Sequence, residues 1–466
     1  MRTLSILLLS LSVGGCATGP AYHRPDVRLT EQFSAQPSLQ QAKTDWWREF
    51  NDPLLDRIVD RALAQNLDLA VAAARVAQAR AAAGAAGAAL LPTLDGGASA
   101  AANRQSTHSS IGRVAQRLGM PRNYEQYDVG AQASWEIDLF GGLSGERRAA
   151  RAEYAGNLAD QEAVRLSVVA EVVDAYLNMR GLQAQLAVAE KQVGIESSLV
   201  DLIRQRVGQG IAAERELNRV LGEQRGVEAS IAPLRAGIAA QMNRLDILMG
   251  QQAGTDRAEL SIAAATPGAL LPRGDANPAE LLRRRPDIVA AERRLVAANA
   301  RIGAAMAEYY PHLTLSGLFD VISLGTSNLF TGGSVQASGG AGIRWRLFDF
   351  GRIDADVAQA RGREAEALAR YRSSVLRATE DVETALVQLS EGRVQIDKLE
   401  QQVAALTIAR DQARHAYENG AVALLDVLDA DQAVLDASSR LEQARAGVAR
   451  ASVAAIRALG GGYREI

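Results

Sequence analysis

Residues Tyr127-Asp128-Val129-Gly130-Ala131-Gln132-Ala133-Ser134-Trp135-Glu136-Ile137-Asp138-Leu139 alternate without a break. The odd positions carry Tyr, Val, Ala, Ala, Trp, Ile and Leu, and the even positions carry Asp, Gly, Gln, Ser, Glu and Asp. A period of two predicts a strand with one apolar and one polar face. The stretch is longer than an ordinary strand of about five or six residues, and it suffices for the roughly nine to eleven that cross a bilayer at a tilt. Such alternation is the pattern of a transmembrane β-barrel wall. A half-buried sheet in a soluble domain is the other reading of the same pattern.

The pattern recurs in phase. Val335, Ala337, Ala341, Ile343, Trp345 and Leu347 lie on one face, with Gln336, Ser338, Arg344 and Arg346 on the other. Trp135 and Trp345 are 210 positions apart, as are Phe140 and Phe350, Arg151 and Arg361, Gly210 and Gly420, and Gly250 and Gly460. One offset held this long identifies two copies of one unit. Each copy has an earlier strand, at about 91–103 and 311–322, preceding those at about 127–140 and 335–348. The segments 104–126 and 323–334 then read as outward loops.

Each copy opens with a helical pattern, over 53–89 and 286–308, and ends in a much longer one. Val172, Met179, Leu186, Val193, Val200 and Val207 keep a strict seven-residue spacing, continued in the second copy by Val382, Leu389, Ile396 and Val403. A sustained heptad predicts coiled-coil packing. Some 65 residues give a rod of about 100 Å. Gly210 and Gly420 suit left-handed caps and mark the tips of helical hairpins over 144–250 and 352–459. The expected organisation is a signal peptide over 1–15, an N-terminal segment over 16–52, repeat 1 over 53–250, a linker over 251–279, repeat 2 over 280–460 and a tail over 461–466.

Composition narrows the function. A net charge of −3 argues against a nucleic-acid binder relying on a basic field. One Cys excludes an intrachain disulfide, and four scattered His rule out most His-based zinc motifs. No nucleophile elbow or metal-spaced cluster is found, so neither an enzyme, a cofactor nor a metal site is expected. Gly339-Gly340-Ala341-Gly342 lies within a strand pattern and lacks the Lys-Ser/Thr of a phosphate loop. Arg283-Arg284-Arg285 reads as a solvated approach to a helix.

Arg2, the apolar run Leu4 to Leu11 and the small residues before Cys16 form a short export signal. Val13-Gly14-Gly15-Cys16 resembles the bacterial lipoprotein box, which implies lipidation at Cys16. Ala17, rather than Asp, favours the outer membrane. Four strands from two copies cannot close a barrel in lipid, since small barrels need about eight. The chain must therefore stay out of the membrane or share a barrel with further copies.

These residues carry a family resemblance. Trp46-Trp47-Arg48-Glu49-Phe50-Asn51-Asp52-Pro53-Leu54-Leu55, Arg284-Arg285-Pro286-Asp287-Ile288 and Leu425-Asp426-Val427-Leu428-Asp429-Ala430 resemble motifs of the TolC-type outer-membrane efflux factors, in their lipoprotein (NodT/OprM-like) branch. The resemblance implies a mainly α chain with a transmembrane β part. Four strands per chain would contribute to a trimeric 12-stranded β-barrel, continuous with a 12-helix coiled-coil α-barrel. It further implies a homotrimer in the outer membrane of a Gram-negative bacterium, lipid-anchored and reaching far into the periplasm. Its partners would be a periplasmic adaptor and an inner-membrane pump of the RND type. The chain itself would be a passive gated exit duct for drugs or other toxic small molecules. Asp426 and Asp429 match the acidic periplasmic gate; Tyr417, Arg215 and Glu216 match latch positions at the tips. A type I protein-secretion duct and a non-pore periplasmic lipoprotein scaffold are the rival readings.

Overall fold

The computed structural model describes residues 18–26, 43–270 and 283–462. Cys16 and the expected signal peptide lie outside the described residues. In chain order the elements are α1 (Pro53–Gln65), α2 (Leu67–Ala88), β1 (Thr93–Arg104), α3 (Ser110–Arg117), β2 (Asn123–Ile137), α4 (Gly142–Gly208) and α5 (Glu214–Leu248). They continue with α6 (Arg257–Leu260), α7 (Pro286–Ala307), β3 (His312–Ser323), β4 (Val335–Arg344), α8 (Arg352–Glu418) and α9 (Leu424–Ala458). The chain divides into two compact units. One takes in residues 77–155 and 293–369 with the N-terminal residues up to Pro25, and the other takes in the rest.

The first unit is built on an antiparallel sheet in the order β1-β2-β3-β4. Its register pairs Leu94 with Ala133, Trp135 with Leu315, and Leu313 with Ile343. Directly paired residues share a face, so the apolar sets of all four strands fall on one side. On the other side Ser99 Oγ donates to Asp128 at 2.8 Å. The duplication reappears in the contacts. Trp135 donates its indole N–H to the Leu90 carbonyl at 2.9 Å, and Trp345 donates to the Tyr309 carbonyl at 3.0 Å. Every strand meets its helix at one end of the sheet, leaving the β1–β2 and β3–β4 connections at the other.

The chain does not form the expected 12-stranded barrel continuous with a 12-helix barrel. The chain is mainly helical, and its four strands form an open sheet whose outer strands, β1 and β4, do not meet. Four strands at ordinary twist span too little arc to close. Among the described residues no helix is long and apolar enough to cross a membrane.

The second unit packs around Trp46, Leu55, Tyr176, Leu177, Met179, Leu245 and Met249, all nearly fully buried. The Trp-Trp opening is held there by a chain of polar contacts. Asp52 caps α1 by accepting from Leu54 N at 3.0 Å, and its other oxygen accepts from the Tyr176 hydroxyl at 2.5 Å. Arg180 in turn donates to that hydroxyl at 2.8 Å. Burial and the Asp52 hydrogen bond hold the Tyr176 hydroxyl far above its ordinary pKa, so it stays a donor. The helical hairpins also repeat: α4 and α8 each have 67 residues, and α5 and α9 each have 35. Arg235 pairs with Glu190 at 2.9 Å, and Arg445, 210 positions on, pairs with Glu400 at 2.8 Å.

Three local features differ from the sequence reading. The helix expected over 53–89 breaks at Asn66, whose backbone is extended. Its side chain caps α2 by accepting from Asp68 N at 2.9 Å, and it donates to the Leu248 carbonyl at 2.9 Å. The loop 104–126 contains α3, and β2 begins four residues before the expected strand. Arg285 is no solvated approach. It is buried, donates to the Ala458 carbonyl at 2.9 Å, and forks onto Asp287 at 2.8 and 3.1 Å with Asp381 at 2.9 Å.

Candidate channel entrance at the hairpin tips

Both tips turn by one device. Gly210 and Gly420 have φ of 71° and 77°, a conformation that costs other residues about 1–2 kcal/mol. The following residues close the helix ends, with Ile211 N bonding the Arg206 carbonyl at 2.8 Å and Ala421 N bonding the Ala416 carbonyl at 2.9 Å. A small core joins the two hairpins: Val200, Ile203 and Val220 from the first, and Tyr417, Leu424, Val427 and Leu428 from the second.

The sequence-selected residues sit around this core in different states. Tyr417 is buried, with its ring 4.8 Å under the Arg206 guanidinium. Arg206 also donates to the Glu418 carbonyl at 3.3 Å, at the negative end of α8. Arg206 thus ties the first hairpin to the second. Its place in the last turn of α4 was the available signal, but only the packing reveals whose carbonyl it meets. Asp426 and Asp429 are exposed on the first turns of α9, and Asp426 accepts from Ala423 N at 3.0 Å. Arg215 is exposed and Glu216 half-buried, and neither forms an ion pair among the described residues.

Sequence reasoning missed a second acidic pair. Glu196 on α4 and Asp431 on α9 are 3% and 2% exposed. Gln192 donates to Glu196 at 2.9 Å and also reaches Asp431. The second Glu196 oxygen is buried without a partner. Burial pushes both carboxyls above their ordinary pKa; the Asp431 charge adds to this at Glu196, while Arg410 and Arg414 oppose it at Asp431. The sign follows. Carboxyls raised on folding stabilise the packed form fully below their ordinary pKa, and that contribution is lost as pH rises through the raised values. Hydrogen exchange near the tips, corrected for intrinsic rates, should therefore slow as pH falls from neutral. Glu196→Gln should flatten that dependence and match the low-pH protection at neutral pH.

This arrangement presents exposed carboxylates at a helical tip. Among the described residues no group of three or more His, Cys, Asp or Glu could hold a metal ion. A family profile described as Outer membrane efflux protein matches residues 58–251 and again 277–461, one match for each copy of the repeat. The chain belongs to this family. It is the outer-membrane channel component of a tripartite efflux system, a passive conduit and not a catalyst.

The pyoverdine export outer membrane protein OpmQ of Pseudomonas putida is 32% identical, over 99% of this chain and 98% of that protein. The cation efflux system protein CusC of Escherichia coli K12 is 28% identical, over 91% and 92%. Among solved structures, the outer-membrane channel OprN superposes with a TM-score of 0.88 at 30% identity, covering 96% of this chain and 99% of that one. The open state of the Neisseria gonorrhoeae MtrE channel gives 0.84 at 26% identity, covering 96% and 98%.

Proposed function

We propose that the chain is a lipoprotein of the NodT/OprM-like branch. It works as a homotrimer, receiving small molecules from an RND-type inner-membrane pump through a periplasmic adaptor. Asp426 and Asp429 ring the periplasmic entrance, with Tyr417, Arg215 and Glu216 at the latch. The observation that carries this reading is the sheet. Its strands of 12, 15, 12 and 10 residues are apolar on one exposed face, polar on the other, and joined to 67-residue helices. A contiguous exposed apolar face of this kind calls for lipid or protein cover. On α8, Leu376, Val387, Val394 and Ile408 are exposed as well, the last three at heptad multiples. This stripe suits the helices of a neighbouring copy.

The anchor has its own support. Thr18, two residues after Cys16, donates to the Phe140 carbonyl at 3.1 Å, just beyond β2. Relatives named for pyoverdine export and for cation efflux favour efflux over protein secretion. The purified protein should have three times the 49.5 kDa chain mass less the signal peptide, plus acyl chains on Cys16, and should conduct in planar bilayers. A folded monomer without conductance would replace the duct by the periplasmic scaffold.

A further inference from the structure

The β1–β2 connection is a built element. Gln105 N bonds the Arg122 carbonyl at 2.8 Å and closes its base. Ser109 caps α3 by accepting from Gly112 N at 3.0 Å, while its hydroxyl donates to the Ser106 carbonyl at 3.0 Å. A Cβ on Gly112 would lie 1.7 Å from the Ser106 oxygen, so only glycine lets the helix sit this close to its own loop. Gly119, with φ of 70°, ends the helix, and Met120 N returns to the Ala115 carbonyl at 2.9 Å.

This element hides none of its large apolar side chains. Ile111 and Leu118 are each 72% exposed, and Val114 and Met120 are exposed as well. Ile111, Val114 and Leu118 lie at i, i+3 and i+7, hence on one face. Arg113 and Arg117, four apart, occupy another. From Arg104 to Arg122 the sequence holds four Arg and no Asp or Glu. An apolar face beside a purely cationic one is the pattern of a helix lying in a lipid headgroup layer. Arginine bonds phosphate with a two-pronged fork. Tethering at both ends to β1 and β2 removes much of the entropic cost that a free eight-residue helix would meet. Self-association between copies is disfavoured, because it would bring four Arg per copy together with no acidic partner.

We propose that α3 docks onto a lipid surface of net negative charge at the end of the sheet remote from the helices, with Ile111, Val114 and Leu118 inserted and Arg113 and Arg117 on the phosphates of anionic headgroups. This rests on the membrane reading of the sheet given above. The test is hydrogen exchange of the full-length protein in vesicles of phosphatidylcholine alone, or of phosphatidylcholine mixed with phosphatidylglycerol. Amides of 111–120 should exchange about tenfold more slowly in the mixed vesicles. Arg113→Gln with Arg117→Gln should abolish that difference, and Ile111→Ser with Leu118→Ser should abolish the protection itself.

Amides on the outer edges of β1 and β4, which no other strand among the described residues pairs, are the internal control. If they are protected while 111–120 exchange alike in both vesicles, the docking is overturned and the membrane reading stands. Equal protection of 111–120 in micelles of a non-ionic detergent would show that no anionic headgroup is needed and would also overturn it. Unprotected strands would overturn the membrane reading and the docking with it.

Discussion

Replacing Asp426 and Asp429 together by alanine should raise single-channel conductance several-fold and abolish its preference for cations. In the proposed trimer these positions set six carboxylates around one opening, and a ring of like charge selects cations and restricts flow. The variant changes more than charge, however. Asp426 accepts the Ala423 N–H at the start of α9, and loss of a helix-terminal acceptor costs about 0.5–2 kcal/mol. The opening could then widen because the tip frays.

The Asp426→Asn, Asp429→Asn variant separates the two effects, since asparagine keeps an acceptor and removes the charge. If the asparagine variant loses cation selectivity, the charge ring is the cause. If only the alanine variant conducts more, Asp426 acts as a cap. If neither variant differs from the native channel, these residues are not the entrance.

The largest loss of stability is expected from Arg285→Met, about 3 kcal/mol. Arg285 donates to the Ala458 carbonyl at the end of α9 and to Ala378 on α8, besides its two carboxylate partners. Methionine fills the space and leaves the Ala458 carbonyl and Asp381 unmatched. The figure sits at the low end for buried pairs because Asp287 and Asp381 keep part of their water. Arg285→Lys should recover little, since one ammonium cannot reproduce the fork. Adding Asp381→Leu to Arg285→Met should restore part of the loss, because the stranded charge is removed. Thermal unfolding followed by circular dichroism reads all three. A drop under 1 kcal/mol for Arg285→Met would show that α7, α8 and α9 hold together without it.

The strands were legible because one face is apolar and the period of two leaves few alternatives. The register then collects Leu94, Trp135, Leu315 and Ile343 on the expected side. The tips were legible because Gly210 and Gly420 stand where a long heptad stops. Asn66 was hidden because its neighbours are good helix formers and its deciding partner, the Leu248 carbonyl, is 182 residues away. Arg285 was misread for a similar reason: a run of three arginines looks solvated until the helix ends around one of them are known. Glu196 and Asp431 carry no local mark, since burial of a carboxylate is decided by which helices meet. Barrel closure was drawn from the family resemblance and from copies outside the chain, and a single chain offers only an open sheet.

The equal lengths of the two helical hairpins act as a constraint on how this gene can change. Arg206 and Tyr417 meet because each ends a 67-residue helix. Deleting one residue from α8 would draw its tip back by about 1.5 Å and turn it by about 100°. Tyr417 would swing out of the joint core while Arg206 stayed. Surface substitutions along these helices are open to drift, but insertions and deletions are not. A tolerated change of length must come in whole heptads and in both copies, so the two halves of a duplicated gene are bound to keep one common measure.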